Sequence, residues 1–224
     1  MNKFDSIRPY KDEEVNKVIL ELCNNKNVIN AAIASSKYSF IKKIPFSKLL
    51  MSIFLKNRFK NIQSIVEYQN IFKNLVKKII KNSIKNFDVT GIDNLDNSNA
   101  YLFISNHRDI TLDSALLNFQ LHKNNLKTTN NAVGNNLLTE KWASDLMRLN
   151  KSFIIDRSDK FKKDIYKSLK LASEFIYDCI TSKNESIWIA QKQGRSKDGV
   201  DYTDPSVLKT VSYTHLTLPT IAKV

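Results

Sequence analysis

Apolar and polar positions along this chain change their period near residue 87, and the change predicts two kinds of structure. Before that point apolar residues recur at helical spacing, as in the segments that begin at Asp12 and Asn61. After it, short apolar runs alternate with helical stretches, a pattern typical of a mainly parallel sheet covered by helices. We therefore predict an α/β domain over residues 87–210, preceded by an N-terminal helical extension over residues 1–86.

The individual elements follow from the same pattern. Helices are predicted from residue 12, over 28–35, 46–60 and 61–84, from residue 113, and over 137–149 and 161–182. Strands are predicted over 87–92, 101–104, 127–133, 152–155 and 186–190. No internal repeat is visible.

The end of the predicted strand Tyr101–Ile104 carries the most informative chemistry. His107 follows this strand closely, at a carboxyl end where open α/β sheets bind their ligands. Asp109 and Asp113 are both near enough in sequence to bond the imidazole. Such a bond fixes the tautomer and makes the other ring nitrogen a general base for a hydroxyl group. The structural alternative is that either aspartate caps the following helix.

Two later strands end in loops with groups suited to an anion. Arg157 follows the strand at 152–155, and Gln193-Gly194-Arg195-Ser196 follows the strand at 186–190. Arginine binds phosphate through a bidentate fork, and glycine lets the backbone approach a ligand. Because carboxyl ends of parallel strands meet at one edge, the three loops predict deprotonation of a hydroxyl on a phosphate-bearing substrate. Taken singly, the arginine also fits a surface ion pair with the preceding aspartate, and the glycine an ordinary turn.

Together these loops resemble the motifs of the glycerolipid acyltransferase family, which includes lysophosphatidic acid and glycerol-3-phosphate acyltransferases. The resemblance covers roughly residues 87–209. Its first motif is SNHRDITLD at residues 105–113, its second is FIIDR at 153–157, and its third is QGRS at 193–196. The combination of HRDITLD with WIAQKQGRSKDG is similar to one bacterial branch of the family.

The resemblance implies an O-acyltransferase of phospholipid synthesis. A fatty acyl group would pass from acyl-CoA or acyl carrier protein to the hydroxyl of a lysophospholipid or glycerol phosphate. His107 would be the base and Asp113 its orienting partner. Five residues separate the two where the family usually has four, so Asp109 stays a second candidate. Arg157 and the loop containing Gln193, Gly194, Arg195 and Ser196 would bind the acceptor and its phosphate.

Departures from the family pattern leave alternative functions open. Gln193 stands where the family usually has glutamate, and one residue is missing between Gly194 and Arg195. An amide can hydrogen-bond a hydroxyl but brings no charge, so a catalytically silent acyltransferase-like module is the first alternative. A nucleic-acid-binding protein is a weaker one, because the net charge of +13 is spread along helices and no binding motif accompanies it. No nucleic-acid partner is expected.

The composition of the chain also predicts where the protein acts and that it contacts a membrane. The segment 46–60 is basic and amphipathic, which predicts contact with an anionic membrane surface, although packing on its own domain is slightly favoured. No apolar leader and no apolar run of membrane-spanning length is visible, so we expect a peripheral protein on the cytoplasmic face of the cell membrane.

His107 and His122 are the only histidines before the tail and the acids are scattered, so no metal or resident cofactor is expected.

The last residues need separate treatment. VSYTHLTLPT, residues 211–220, matches the translation of a common transposase sequencing adapter. We therefore expect residues 211–224 to be adapter-derived and the natural protein to continue past about Lys209. Such a truncation also explains why the family's fourth motif, a later apolar stretch with proline, is absent. Inactivity of this shortened form is therefore an open alternative even if the whole protein is an enzyme.

Overall fold

The computed structural model describes residues 3–35, 45–110, 112–135, 138, 140–156, 162–198, 202–212 and 221–223. Its helices are α1 (Asp12–Leu22), α2 (Lys26–Ser35), α3 (Ser47–Phe59), α4 (Ile65–Ser83), α5 (Leu112–Lys123), α6 (Lys141–Leu149), α7 (Lys162–Thr181) and α8 (Pro205–Ser212). Its strands are β1 (Leu102–Ser105), β2 (Asn130–Gly134), β3 (Ser152–Ile155), β4 (Ile187–Ala190) and β5 (Ile221–Lys223).

Four strands form an all-parallel sheet in the order β3-β2-β4-β1, which confirms the predicted α/β class. β1 and β4 pair in a register that aligns Ser105 with Ala190. The loops that follow these two strands are therefore neighbours in space, although about 85 residues separate them in the chain. β5 pairs with the other side of β1, and its adapter origin stays a prediction.

The main core lies between the sheet and α7. Phe153, Ile176 and Ile187 are fully buried there, as expected for short apolar strands that are covered on both faces. Residues before α1 belong to the same core, because Phe4 and Ile7 are buried in it. The backbone N–H of Ile154 also donates to the carbonyl oxygen of Ile7 at 2.9 Å.

A second core joins the N-terminal helices to the α/β part. Val15 and Ile19 of α1 pack with Tyr68 of α4 and with Leu149 of α6. α4 begins at a capping box, in which Ser64 and Glu67 each satisfy a backbone N–H of the first turn. This core holds α4 beside α5, the helix that follows the histidine loop.

The structure corrects one predicted element. Residues 87–92 form no strand, and a single 3-10 turn follows at Ile92–Asn94. The segment has the β-branched composition of a strand, but it pairs with no strand among the described residues, and Val89 is 41% exposed. Three predicted starts also move: α4 begins at Ile65, β2 at Asn130 and α6 at Lys141.

Within the described residues, no helix is both long enough and apolar enough to cross a bilayer.

Candidate active site

His107 and Asp113 form a close pair at the carboxyl end of β1. His107 Nδ1 lies 2.8 Å from Asp113 Oδ2, and the two side chains are only 14% and 15% exposed. The same carboxylate accepts the backbone N–H of Arg108 at 2.8 Å and of Asp109 at 3.1 Å. A carboxylate held in this way favours the imidazole tautomer with its proton on Nδ1, which leaves Nε2 as the basic nitrogen.

Asp109, the other candidate partner, has a different position. Its Oδ1 accepts the backbone N–H of Leu112 at 2.8 Å, so its side chain caps the start of α5. Five residues separate His107 from Asp113, and the pair still forms because the chain after His107 folds back. The backbone N–H groups of Arg108 and Asp109 then donate to the Asp113 carboxylate. The described structure thus brings Asp113 to the imidazole and Asp109 to the helix end.

The loop after β4 is tied to the histidine loop by backbone hydrogen bonds. Gln191 N–H donates to the Ser105 carbonyl at 2.9 Å, and Ser196 N–H donates to the His107 carbonyl at 2.6 Å. Ser196 is buried at this contact. Gly194 has φ +78°, a left-handed conformation that side chains seldom adopt, and a Cβ there would meet no atom within 4 Å. The backbone turn, not crowding, therefore requires glycine.

A cavity of about 320 Å³ lies where these loops meet. His107, Gln193, Gly194 and Arg195 all line it, whereas Ser196 does not. Arg157 lies outside the described residues, but Ile155, at the carboxyl end of β3, also lines the cavity. The structure therefore brings together the loops after β1 and β4, with the end of β3 at the same cavity.

Trp188 is a site residue that the sequence pattern did not reveal. Its Nε1–H donates to Ser105 Oγ at 3.0 Å, and its ring meets the His107 ring edge-on with centroids 6.4 Å apart. The residue lines the cavity and supports the imidazole from β4. A signal was present, because an indole N–H in a buried strand requires an acceptor nearby.

A second, apolar cavity of about 180 Å³ lies between α4 and α5. Phe72 and Val76 of α4 line it from one side, and Ala115 and Phe119 of α5 from the other. Asn150 lines both this cavity and the one at His107. The two cavities are therefore neighbours.

Other reactive groups lie elsewhere. Among the described residues, no three His, Cys, Asp or Glu side chains are grouped so that they could hold a metal ion. Burial raises the pKa of the Cys179 thiol to about 12, and it also raises the pKa of Cys23. Neither cysteine lines the cavity at His107, so the described chemistry there is that of the His–Asp pair.

The fold and the site define an α/β domain with a histidine held by a carboxylate at the carboxyl edge of a parallel sheet. A family model described as Acyltransferase matches residues 86–200, just over half of the chain. The chain belongs to this acyltransferase family, which confirms at family level the resemblance to glycerolipid acyltransferases. No curated protein matches the chain.

Proposed function

We propose that this protein is an O-acyltransferase of phospholipid synthesis that acts at the cytoplasmic face of the membrane. It transfers a fatty acyl group from acyl-CoA or acyl carrier protein to the hydroxyl of a lysophospholipid or glycerol phosphate. The observation that carries the proposal is the His107–Asp113 pair, which lies at a cavity that Gly194 and Arg195 also line. Family membership supports acyl transfer as the reaction class.

In the proposed reaction, His107 Nε2 takes the proton of the acceptor hydroxyl. At the same time the acceptor oxygen bonds to the thioester carbonyl carbon. The C–S bond of the tetrahedral intermediate then breaks, and the thiol leaves with the proton from His107. Asp113 stabilises the imidazolium between the two steps. No metal and no resident cofactor takes part in this proposal.

The acceptor's phosphate is assigned to the β4 loop. Arg195 is exposed and lines the cavity, so its guanidinium can form a bidentate contact with phosphate oxygens. The proposal assigns Arg157 to the same phosphate. Gln193 contributes hydrogen bonds to the acceptor, and Ser196 holds the loop against His107 through its backbone N–H.

The acyl chain is assigned to the apolar cavity between α4 and α5. Its lining from Phe72, Val76 and Phe119 suits an alkyl chain, and Asn150 lines both this cavity and the one at His107. A thioester carbonyl beside His107 would then have its chain directed toward α4.

Helix α3 is the proposed membrane contact. Leu55 and Phe59 pack on the second core, whereas Leu50 and Phe54 are 55% and 60% exposed. Lys48 and other basic residues lie on the same short helix. An exposed apolar face with cations beside it fits the interface of an anionic bilayer.

The direct test uses the re-sequenced, full-length gene. Purified protein is given acyl-CoA or acyl carrier protein donors with a panel of lysolipid and glycerol phosphate acceptors, and thiol release is measured. We expect acceptor-dependent release that His107→Ala removes. Absence of turnover in the parent, in His107→Ala and in Gln193→Glu, with all three folded, would support the silent module instead.

A further inference from the structure

A polar network connects α5 with the sheet, and no step of the proposed reaction uses it. Its central residue, Asn118, also lines the apolar cavity between α4 and α5. Asn118 uses both of its amide donors and its oxygen. Nδ2 donates to the Ser114 carbonyl at 2.9 Å and to Asn131 Oδ1 at 3.2 Å. Oδ1 accepts the backbone N–H of Thr129 at 2.7 Å and the Thr129 hydroxyl at 3.1 Å. Three of these four hydrogen bonds join α5 to Thr129 and Asn131 at the start of β2, and the fourth lies within α5.

The partners of Asn118 are themselves fixed. Thr129 is fully buried and Asn131 nearly so. Asn131 Nδ2 donates to the Asn150 carbonyl at 3.2 Å, and both Asn150 and Ser114 line the cavity at His107. The network therefore extends from α5 to the wall of that cavity. A fully satisfied buried polar network specifies one arrangement of the elements that it joins.

The arrangement matters because α5 carries Asp113 in its first turn. A helix is a rigid rod with side chains about 5–6 Å from its axis. Rotation of α5 by roughly 10° would therefore move the Asp113 carboxylate by about 1 Å. A displacement of that size at a reacting group costs about 10²-fold in rate.

We propose that Asn118 is a positioning residue, which sets the rotation of α5 on the sheet and so the contact of Asp113 with His107. Only the expected effect on kcat rests on the proposed function. The hydrogen bond between His107 Nδ1 and Asp113 can be observed without turnover, so failure of the positioning role and failure of the acyltransferase proposal are distinguishable.

The network offers a matched control on the neighbouring residue. Asn130 and Asn131 are both buried on β2, but their side chains lie on opposite faces of the sheet. Asn131 bonds to Asn118, whereas Asn130 Nδ2 donates to Glu185 at 2.9 Å, away from α5. Asn130→Ala therefore removes a buried amide of the same kind without touching the network.

The experiment measures the Nδ1–H proton resonance of His107 in protein labelled with ¹⁵N-histidine, assigned with His107→Ala, together with kcat and KM. We expect Asn118→Ala and Asn131→Ala to shift or broaden this resonance and to lower kcat about 10- to 10²-fold, with acceptor KM nearly unchanged. Asn130→Ala should lower Tm while leaving the resonance and kcat in place.

Thr129→Val provides a milder variant of the same volume, in case Asn118→Ala does not fold. It removes the hydroxyl that bonds to Asn118 and Asn131, and we expect a smaller change of the same resonance. An unchanged resonance and kcat in Thr129→Val and Asn131→Ala, or an equal change in Asn130→Ala, would overturn the positioning role and leave the network as a source of stability alone.

Discussion

Replacing Asp113 by asparagine tests which aspartate orients His107. The carboxylate accepts His107 Nδ1 and the backbone N–H groups of Arg108 and Asp109. An asparagine keeps one acceptor oxygen but has no charge to stabilise the imidazolium. General acid–base catalysis contributes about 10²–10⁴-fold. We therefore expect acyl transfer to fall by about this factor, which equals about 2.7–5.4 kcal/mol of transition-state stabilisation.

Asp109→Asn is the matched control, because it removes the same charge four residues earlier in the chain. Asparagine caps a helix about as well as aspartate, so the bond to Leu112 N–H persists and activity should stay within about threefold. Thiol release at saturating donor and acceptor is the assay, and thermal unfolding shows that both variants are folded. Loss of turnover in Asp109→Asn with full turnover in Asp113→Asn would refute the assigned pair.

Three further predictions concern the surface, the apolar cavity and the N-terminal segment. Leu50→Glu combined with Phe54→Glu should weaken co-sedimentation with anionic vesicles at unchanged Tm, and unaltered co-sedimentation would count against the membrane contact. Ala115→Leu narrows the apolar cavity, so kcat/KM for the longest donors of an acyl-CoA series should fall about tenfold or more. An equal loss of kcat/KM for donors of every length would exclude this cavity as the binding site of the acyl chain. Tyr10→Phe removes the hydroxyl that donates to buried Asp145 at 2.8 Å. The free energy of unfolding should fall by about 1.5–3 kcal/mol and Tm by about 3–12 °C. A constant Tm would show that this bond does not anchor the N-terminal segment before α1.

The histidine site shows how far a local pattern reaches. The order of strand, histidine and helix is local, so His107 and the strand before it were predictable from the chain. The choice between Asp109 and Asp113 was not, because it depends on the backbone path between them. Two N–H groups of that path turn toward Asp113, and no residue type in the loop encodes that direction by itself.

The sheet shows a second limit of prediction from the sequence. The runs LFIS and IWIA form strands because each is buried and each is the other's neighbour. The run over residues 87–92 is similar in composition, but in the part of the chain that the structure describes it pairs with no strand and forms none itself. The order β3-β2-β4-β1 and the cavity between α4 and α5 arise from contacts between distant segments, which periodicity does not record.

The pairing of β1 with β4 gives the two loops a single mechanical role. The β4 loop carries Arg195, yet its Ser196 N–H also holds the His107 carbonyl. The chain reaches that carbonyl only after the left-handed turn at Gly194. Glycine there consequently serves the position of the proposed base as well as the approach of a phosphate. Any change that alters this turn acts on both proposed halves of the reaction, since the loop assigned to the acceptor is part of the support of the histidine.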